Sequence, residues 1–277
     1  MEILYLNTAD THKIRMTCFA PDTKPKGVIQ FVHGFGEGLE HFADLAKFLM
    51  TKGYAFVVHD QRGFGKEAYR RGVHGSYENF LNDIEIVREW IGQKFPQVPV
   101  VLFGFSMGGN ISSNYILKRG SKCYQALVLE SPWLSLDRNP QKATIALAKF
   151  LGNLSKNLRI KSGLNVQAIM RDKARLSEVL TDGIYHDTIS MRLFSEVREH
   201  GEYALANANK IKIPTLLLGA EQDKIVSIRA IRTFAERADK NIKYHEIAGG
   251  YHCLHYDLGY DQTQHLLVGF LDGILKN

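Results

Sequence analysis

Ser106 stands at the centre of Gly104-Phe105-Ser106-Met107-Gly108-Gly109, a G-x-S-x-G pattern. An apolar run, Pro99-Val100-Val101-Leu102-Phe103, leads into it, and a segment of helical character over 110–118 leads out. Strand, sharp turn and helix would lift the hydroxyl to the end of the strand, and the small neighbours Gly104 and Gly108 would let strand and helix approach. The N-terminal N–H groups of the following helix, at the positive end of its dipole, would stabilise negative charge developing beside Ser106. Taken alone, the pattern fits a closely packed glycine-rich turn as well. The rest of the chain has to supply the partners of a serine nucleophile.

A serine hydroxyl becomes a good nucleophile when a base takes its proton and a third group fixes and stabilises that base. Asp223 and His252 satisfy the order serine, acid, histidine, and each of the three follows a predicted strand. His255 competes with His252 for the base, and Asp257 and Asp187 compete with Asp223 for the acid. His252 is preferred because it sits directly in the turn Ala248-Gly249-Gly250-Tyr251-His252. Asp223 could instead cap the helix that follows it. The backbone N–H groups of Phe35 and Met107 are the expected oxyanion donors, a role nearly independent of their side chains. The loop His33-Gly34-Phe35-Gly36-Glu37-Gly38 could also suit a phosphate, but no G-K-[ST] or G-x-G-x-x-G accompanies it, so a nucleotide site is disfavoured.

The elements that must position these residues follow from periodicity. Strands are expected at 3–7 and 14–20, as an antiparallel edge, then at 28–32, 54–59, 99–103, 126–130, 215–219 and 243–247. Amphipathic helices are expected at 42–50, 77–91, 107–118, 228–238 and 262–275. Short apolar strands alternating with such helices build a mostly parallel sheet covered on both faces, with ligands beyond the carboxyl ends of the strands. The alternation breaks after Trp133, and no strand is expected before about Asp187. Ala143, Ala146, Leu147, Phe150, Leu151 and Leu154 form one apolar helical face there, with Lys142, Lys149 and Lys156 on another. Further helices at 165–170 and 190–200 are weaker. The expected division is a core of residues 1–132 and 188–277 with a helical cap, 133–187, inserted over the strand ends.

Composition bounds the rest. The 277 residues are 45% hydrophobic and 23% charged, ordinary for a globular enzyme-sized chain. No run of about 18 apolar residues suggests a membrane span, and the start does not read as a signal peptide. Cys18, Cys123 and Cys253 are too few and too scattered for a disulfide framework or a zinc site, so the expected setting is cytoplasmic. The net charge of +6 is uneven: between Arg138 and Arg175 stand nine Lys/Arg and one acid, Asp172. That basic cap could approach an anionic head group or membrane surface. The favoured expectation is that its apolar helix face packs onto the core with solvated lysines outside. No nucleic-acid-binding motif accompanies the positive charge.

Taken together, several motifs resemble the α/β-hydrolase family of serine hydrolases, and within it the monoacylglycerol lipase and lysophospholipase (serine aminopeptidase S33-like) branch. They are His33-Gly34-Phe35-Gly36-Glu37, Asp60-Gln61-Arg62-Gly63-Phe64-Gly65, the Ser106 turn, Ser131-Pro132, Asp223-Lys224-Ile225-Val226 and Tyr251-His252-Cys253-Leu254-His255. The resemblance spans most of the chain. It implies an α/β-hydrolase fold with a mostly parallel eight-stranded sheet, helices on both faces and a helical cap insertion that shapes an acyl-chain tunnel. It implies Ser106 as nucleophile, Asp223 as acid, His252 as base and Phe35 and Met107 as oxyanion donors, with no metal and no organic cofactor. The implied substrate is a small ester or lipid such as a monoacylglycerol or lysophospholipid. Gly38, Phe64 and Phe105 stand where the family often has histidine, which leaves the exact substrate open. Short-chain carboxylesterase or thioesterase activity, C–C hydrolysis and proline-releasing peptidase activity use the same parts. Dehalogenases and epoxide hydrolases would need Asp at position 106. A non-catalytic binding module of the same fold is the reading from another class, disfavoured because all three triad residues remain.

Overall fold

The predicted strands that lack polar alternation are those with helices on both sides of them. In the computed structural model, which describes residues 1–275, the strands are β1 Leu4–Asn7, β2 Lys13–Phe19, β3 Gly27–Val32, β4 Tyr54–His59, β5 Val100–Phe105, β6 Ala126–Glu130, β7 Arg159–Lys161, β8 Thr188–Ser190, β9 Thr215–Ala220 and β10 Ile242–Ile247. The helices are α1 Ala43–Thr51, α2 Tyr77–Lys94, α3 Met107–Arg119, α4 Lys142–Leu154, α5 Lys173–Thr181, α6 Met191–Ala206, α7 Ile228–Arg237 and α8 Tyr260–Ile274. Eight strands form one sheet in the order β1-β2-β4-β3-β5-β6-β9-β10. β2 runs antiparallel to β1 and β4, and the remaining neighbours are parallel. β3, β4, β5, β6 and β9 are buried along their whole length, as two covered faces require.

Apolar side chains of α2, α3, α6 and α7, such as Ile84, Ile111, Val197 and Phe234, fill one face of the sheet. Leu45 and Leu49 of α1 and Leu267 and Phe270 of α8 fill the other. The chain passes from β3 to β4 on one side and then to β5 on the other, so a crevice opens at the carboxyl ends of β3 and β5. Register keeps the functional loops level there. Val32 pairs with Gly104, Phe105 with Glu130, Glu130 with Leu218, and Ala220 with Ile247.

The segment between β6 and β9 departs from expectation in three places. β7 and its partner β8 are strands where none was expected; each is three residues long, too short to leave a period-two signature, and β7 is wholly exposed. The expected helix at 165–170 is one 3₁₀ turn at Val166–Ala168, whereas α5, N-capped by Asp172 at Arg175 N–H, was not expected at all. The third difference concerns α4. Its apolar face does not pack onto the core: Leu147, Phe150 and Leu154 are 55%, 64% and 75% exposed. α4 instead buries its small face, Ala148 and Gly152, against α6. A Cβ at Gly152 would lie 2.8 Å from Arg192 Cα, so this contact depends on closeness rather than on apolar bulk. Among the described residues no helix is long and apolar enough to cross a membrane.

Candidate active site

Ser106 closes β5 with φ 54° and ψ −117°, a left-handed conformation that costs a non-glycine residue about 1–3 kcal/mol. Its surroundings over-determine it. Ser106 N–H donates to Glu130 O at 2.9 Å, and Ser106 O accepts from Trp133 N at 2.8 Å and Asn110 N at 3.1 Å. The glycines of the turn are needed for closeness: a Cβ at Gly108 would meet Val32 O at 1.9 Å, and one at Gly104 would meet Gly108 O at 2.4 Å. Asn110, in the first turn of α3, is buried and fully used. Its Nδ2 donates to Trp133 O and Val197 O, and its Oδ1 accepts from Tyr77 O–H. The helix behind the serine is thereby tied to α2, α6 and the loop after β6.

The structure brings three of the sequence candidates into one hydrogen-bonded chain. Ser106 Oγ lies 2.8 Å from His252 Nε2, and His252 Nδ1 lies 2.7 Å from Asp223 Oδ2. The other Asp223 oxygen accepts the N–H groups of Ile225 (2.8 Å) and Val226 (2.9 Å), which fixes the carboxylate in place. All three side chains are nearly removed from solvent, at 5%, 3% and 2% exposure. With Nδ1–H donated to the carboxylate, Nε2 is left as the acceptor facing the serine hydroxyl.

The competing residues go elsewhere. His255 Nδ1 lies 2.6 Å from Glu130 Oε1, and its backbone N–H donates to the same oxygen at 3.2 Å. Asp257 accepts Tyr251 N–H and binds Arg171, and Asp187 pairs with Lys161 at the surface. Glu130 thus holds Ser106 by its carbonyl and the histidine loop by its side chain. Sequence reading missed that role, because a glutamate ending an apolar strand carries no spacing signal towards a residue 125 positions away.

A cavity of about 40 Å³ opens onto Ser106 and His252. Phe35, Phe105, Ile169, Met170 and Tyr185 line it, with Glu37 at one side. The Glu37 carboxyl accepts Gly34 N–H at 2.9 Å, and its removal from bulk water pushes its pKa up to about 8. It is therefore largely protonated and neutral at pH 7. The hydroxyl of Tyr185 is buried without a hydrogen-bond partner among the described residues. Neither residue was singled out from sequence for a role; the Glu37 position in a glycine-rich loop was the available signal. Burial likewise lowers His33 to about 3, so its neutral ring accepts Gln61 N–H and braces the loop that carries Phe35.

The three departures from the family pattern have local explanations. A side chain at Gly38 would collide with Ile184 Cγ2 at 2.7 Å and Gly65 Cα at 2.9 Å. Phe64 is stacked on His186 with ring centroids 5.1 Å apart. The Phe105 ring lies against both His252, at 5.2 Å, and His255, at 4.9 Å.

This sheet order, elbow and loop arrangement define an α/β-hydrolase. Residues 23–259 match the family model described as serine aminopeptidase, S33, and the chain belongs to that family. It is 27% identical over 232 residues to phospholipase YtpA of Bacillus subtilis, covering 83% of this chain and 88% of that protein. It is similar in structure to a monoacylglycerol lipase of Paleococcus ferrophilus, with TM-score 0.86 and 28% identity over 94% of this chain and 98% of that one. An uncharacterized abhydrolase domain-containing protein of Dictyostelium discoideum is 26% identical over 251 residues; there the match covers 87% of this chain and only 26% of the longer protein. By these similarities the chain stands in the monoacylglycerol lipase branch of the α/β-hydrolases.

Proposed function

We propose that this chain is a carboxylic ester hydrolase that cleaves a monoacylglycerol or lysophospholipid through an acyl-enzyme on Ser106. The observation that carries the reading is the enclosed Ser106–His252–Asp223 chain at the mouth of an apolar cavity. Ser106 Oγ attacks the ester carbonyl as its proton passes to His252 Nε2. Asp223 holds the ring orientation and stabilises the imidazolium. The developing oxyanion takes the N–H groups of Phe35 and Met107. Among the described residues neither has a protein partner, which supports the assignment, and each such donor is worth about 10²–10³ in rate. His252 returns its proton to the leaving alcohol, then activates water against the acyl-enzyme.

Residues 133–187 act as a cap over this site in the proposal, with Ile169, Met170 and Tyr185 forming the wall against the acyl chain. Protonated Glu37 and the unpartnered Tyr185 hydroxyl suit the polar head of such an ester, since both can donate or accept. The exposed Leu147, Phe150 and Leu154, beside Lys142, Lys156 and Arg159, support contact of α4 with an anionic lipid surface. A cytoplasmic setting is in keeping with three unpaired cysteines.

One observation favours a second reading, a short-chain carboxylesterase or thioesterase. The cavity of about 40 Å³ is far below the roughly 300–1,000 Å³ of ordinary ligand pockets, so a long acyl chain must displace cap side chains. Hydrolysis of p-nitrophenyl esters of graded length, beside monoacylglycerol and lysophospholipid, separates the two. The lipid reading expects long chains and monoacylglycerol to be preferred. Short esters as the only substrates would discard it and keep the triad. Ser106→Ala is expected to lower kcat by on the order of 10⁴ or more; near-normal activity in that variant would overturn the nucleophile assignment.

A further inference from the structure

The backbone on both sides of His252 is held from one short stretch, Ile169-Met170-Arg171. On one side Cys253 N–H donates to Ile169 O at 2.9 Å. On the other side Tyr251 N–H donates to Asp257 Oδ2 at 2.8 Å. Asp257 is itself held by Arg171, whose N–H reaches Oδ1 at 2.6 Å and whose Nε reaches Oδ2 at 2.8 Å. The same guanidinium donates to Leu258 O and lies 5.9 Å from the centroid of the Tyr251 ring. Asp257 is 1% exposed, and a carboxylate so far from water persists only with partners of this kind. Meanwhile Ile169 and Met170 form part of the cavity wall at Ser106.

We propose that Arg171 is a positioning residue for His252. Through Asp257 it ties the loop carrying the general base to the segment that walls the acyl cavity, so one stretch of chain sets both the base and the substrate pocket. The inference rests on His252 acting as the base. Without the guanidinium, Asp257 keeps only the N–H groups of Arg171 and Tyr251 as partners, so the Tyr251 side of the loop is held less firmly while the Cys253–Ile169 bond remains. A small displacement of the imidazole then costs rate while leaving substrate binding in place.

The test is steady-state hydrolysis of p-nitrophenyl butyrate by the full chain and by Arg171→Ala, Arg171→Gln, Arg171→Lys and Ser106→Ala. Arg171→Ala is expected to lower kcat about tenfold to a hundredfold with KM changed by less than about twofold. Arg171→Lys is expected to retain an intermediate kcat. Guanidinium chloride at millimolar concentration is expected to restore part of the alanine variant's rate, because the Arg171 side chain is 33% exposed and a small cation can reach Asp257. If the alanine chain does not fold, the expected order of kcat, Arg above Lys above Gln at constant KM, carries the same reading. Undiminished kcat, a change confined to KM, or a loss that neither lysine nor guanidinium relieves would overturn the inference. Activity persisting in Ser106→Ala would overturn the nucleophile assignment and this inference together. An inactive Ser106→Ala beside a fully active Arg171→Ala overturns this inference alone.

Discussion

Glu37 lines the cavity at Ser106, and its carboxyl accepts Gly34 N–H at 2.9 Å. Taking that carboxyl from water raises its pKa from 4.5 to about 8. The folded state therefore binds this proton more tightly than the unfolded chain does. Its contribution to stability is complete below about pH 4.5 and is lost as pH rises through about 8. Glu37→Gln removes this titration while keeping the shape. Denaturant unfolding at pH 5 and pH 8.5 is expected to show a smaller loss of stability at the higher pH in the variant than in the wild type. Equal losses in both would contradict the raised pKa. A protonated Glu37 also adds no negative charge to the cavity that Ser106 lines.

Close approach governs the element scale. α3 meets β3 through Gly108, where an added Cβ would lie 1.9 Å from a backbone oxygen that has no rotamer to retreat to. Gly108→Ala is expected to destabilise by about 1–3 kcal/mol and to displace the Ser106 turn, read as a lower denaturant midpoint together with lost activity. Gly269, on the exposed side of α8, provides the contrast, since a Cβ there meets nothing within 4 Å among the described residues. Gly269→Ala is expected to leave activity unchanged and to stabilise by up to about 1 kcal/mol, the helix-propensity difference. A destabilised Gly269→Ala would mean that α8 is not held as described. The α4–α6 contact obeys the same rule: Gly152 brings the backbones together, so the small face of α4 is buried and its bulky face is left outside.

Charge and exposed apolar area come together over the whole molecule. The net charge is +6, and nine of the cations stand between Arg138 and Arg175, the stretch that includes exposed Leu147, Phe150 and Leu154. Lys149 is engaged with Glu199 at 2.8 Å. Co-sedimentation with phosphatidylglycerol vesicles is expected, weakening as salt screens the charges. Leu147→Asp with Phe150→Asp is expected to reduce binding at least severalfold without altering hydrolysis of a water-soluble p-nitrophenyl ester, since neither residue lines the cavity. Binding indifferent to lipid charge, to salt and to these substitutions would dispose of the interfacial role.

Ser106, Asp223 and His252 were legible from the chain alone because a parallel sheet delivers every strand's carboxyl end to one edge. A serine, an acid and a histidine that each follow a strand must therefore meet there. The eight-strand sheet and its covering helices were legible for a related reason: periodicity and continuous apolar runs are local properties. What covers an apolar stripe is not local. The six apolar residues of α4 marked a helix face correctly, yet only tertiary packing decided that Ala148 and Gly152 would be the buried side. β7 went unseen because three exposed residues become a strand only when Thr188–Ser190 arrives beside them. Arg171 and Asp257, 86 positions apart, and Glu130 and His255, 125 apart, have no spacing that announces them. Residue types and local periodicity were enough to name the groups that could do chemistry and the sheet edge they share. Which distant side chains hold them still emerges only on folding, because a buried charge takes its partner from whatever the fold brings within hydrogen-bond reach.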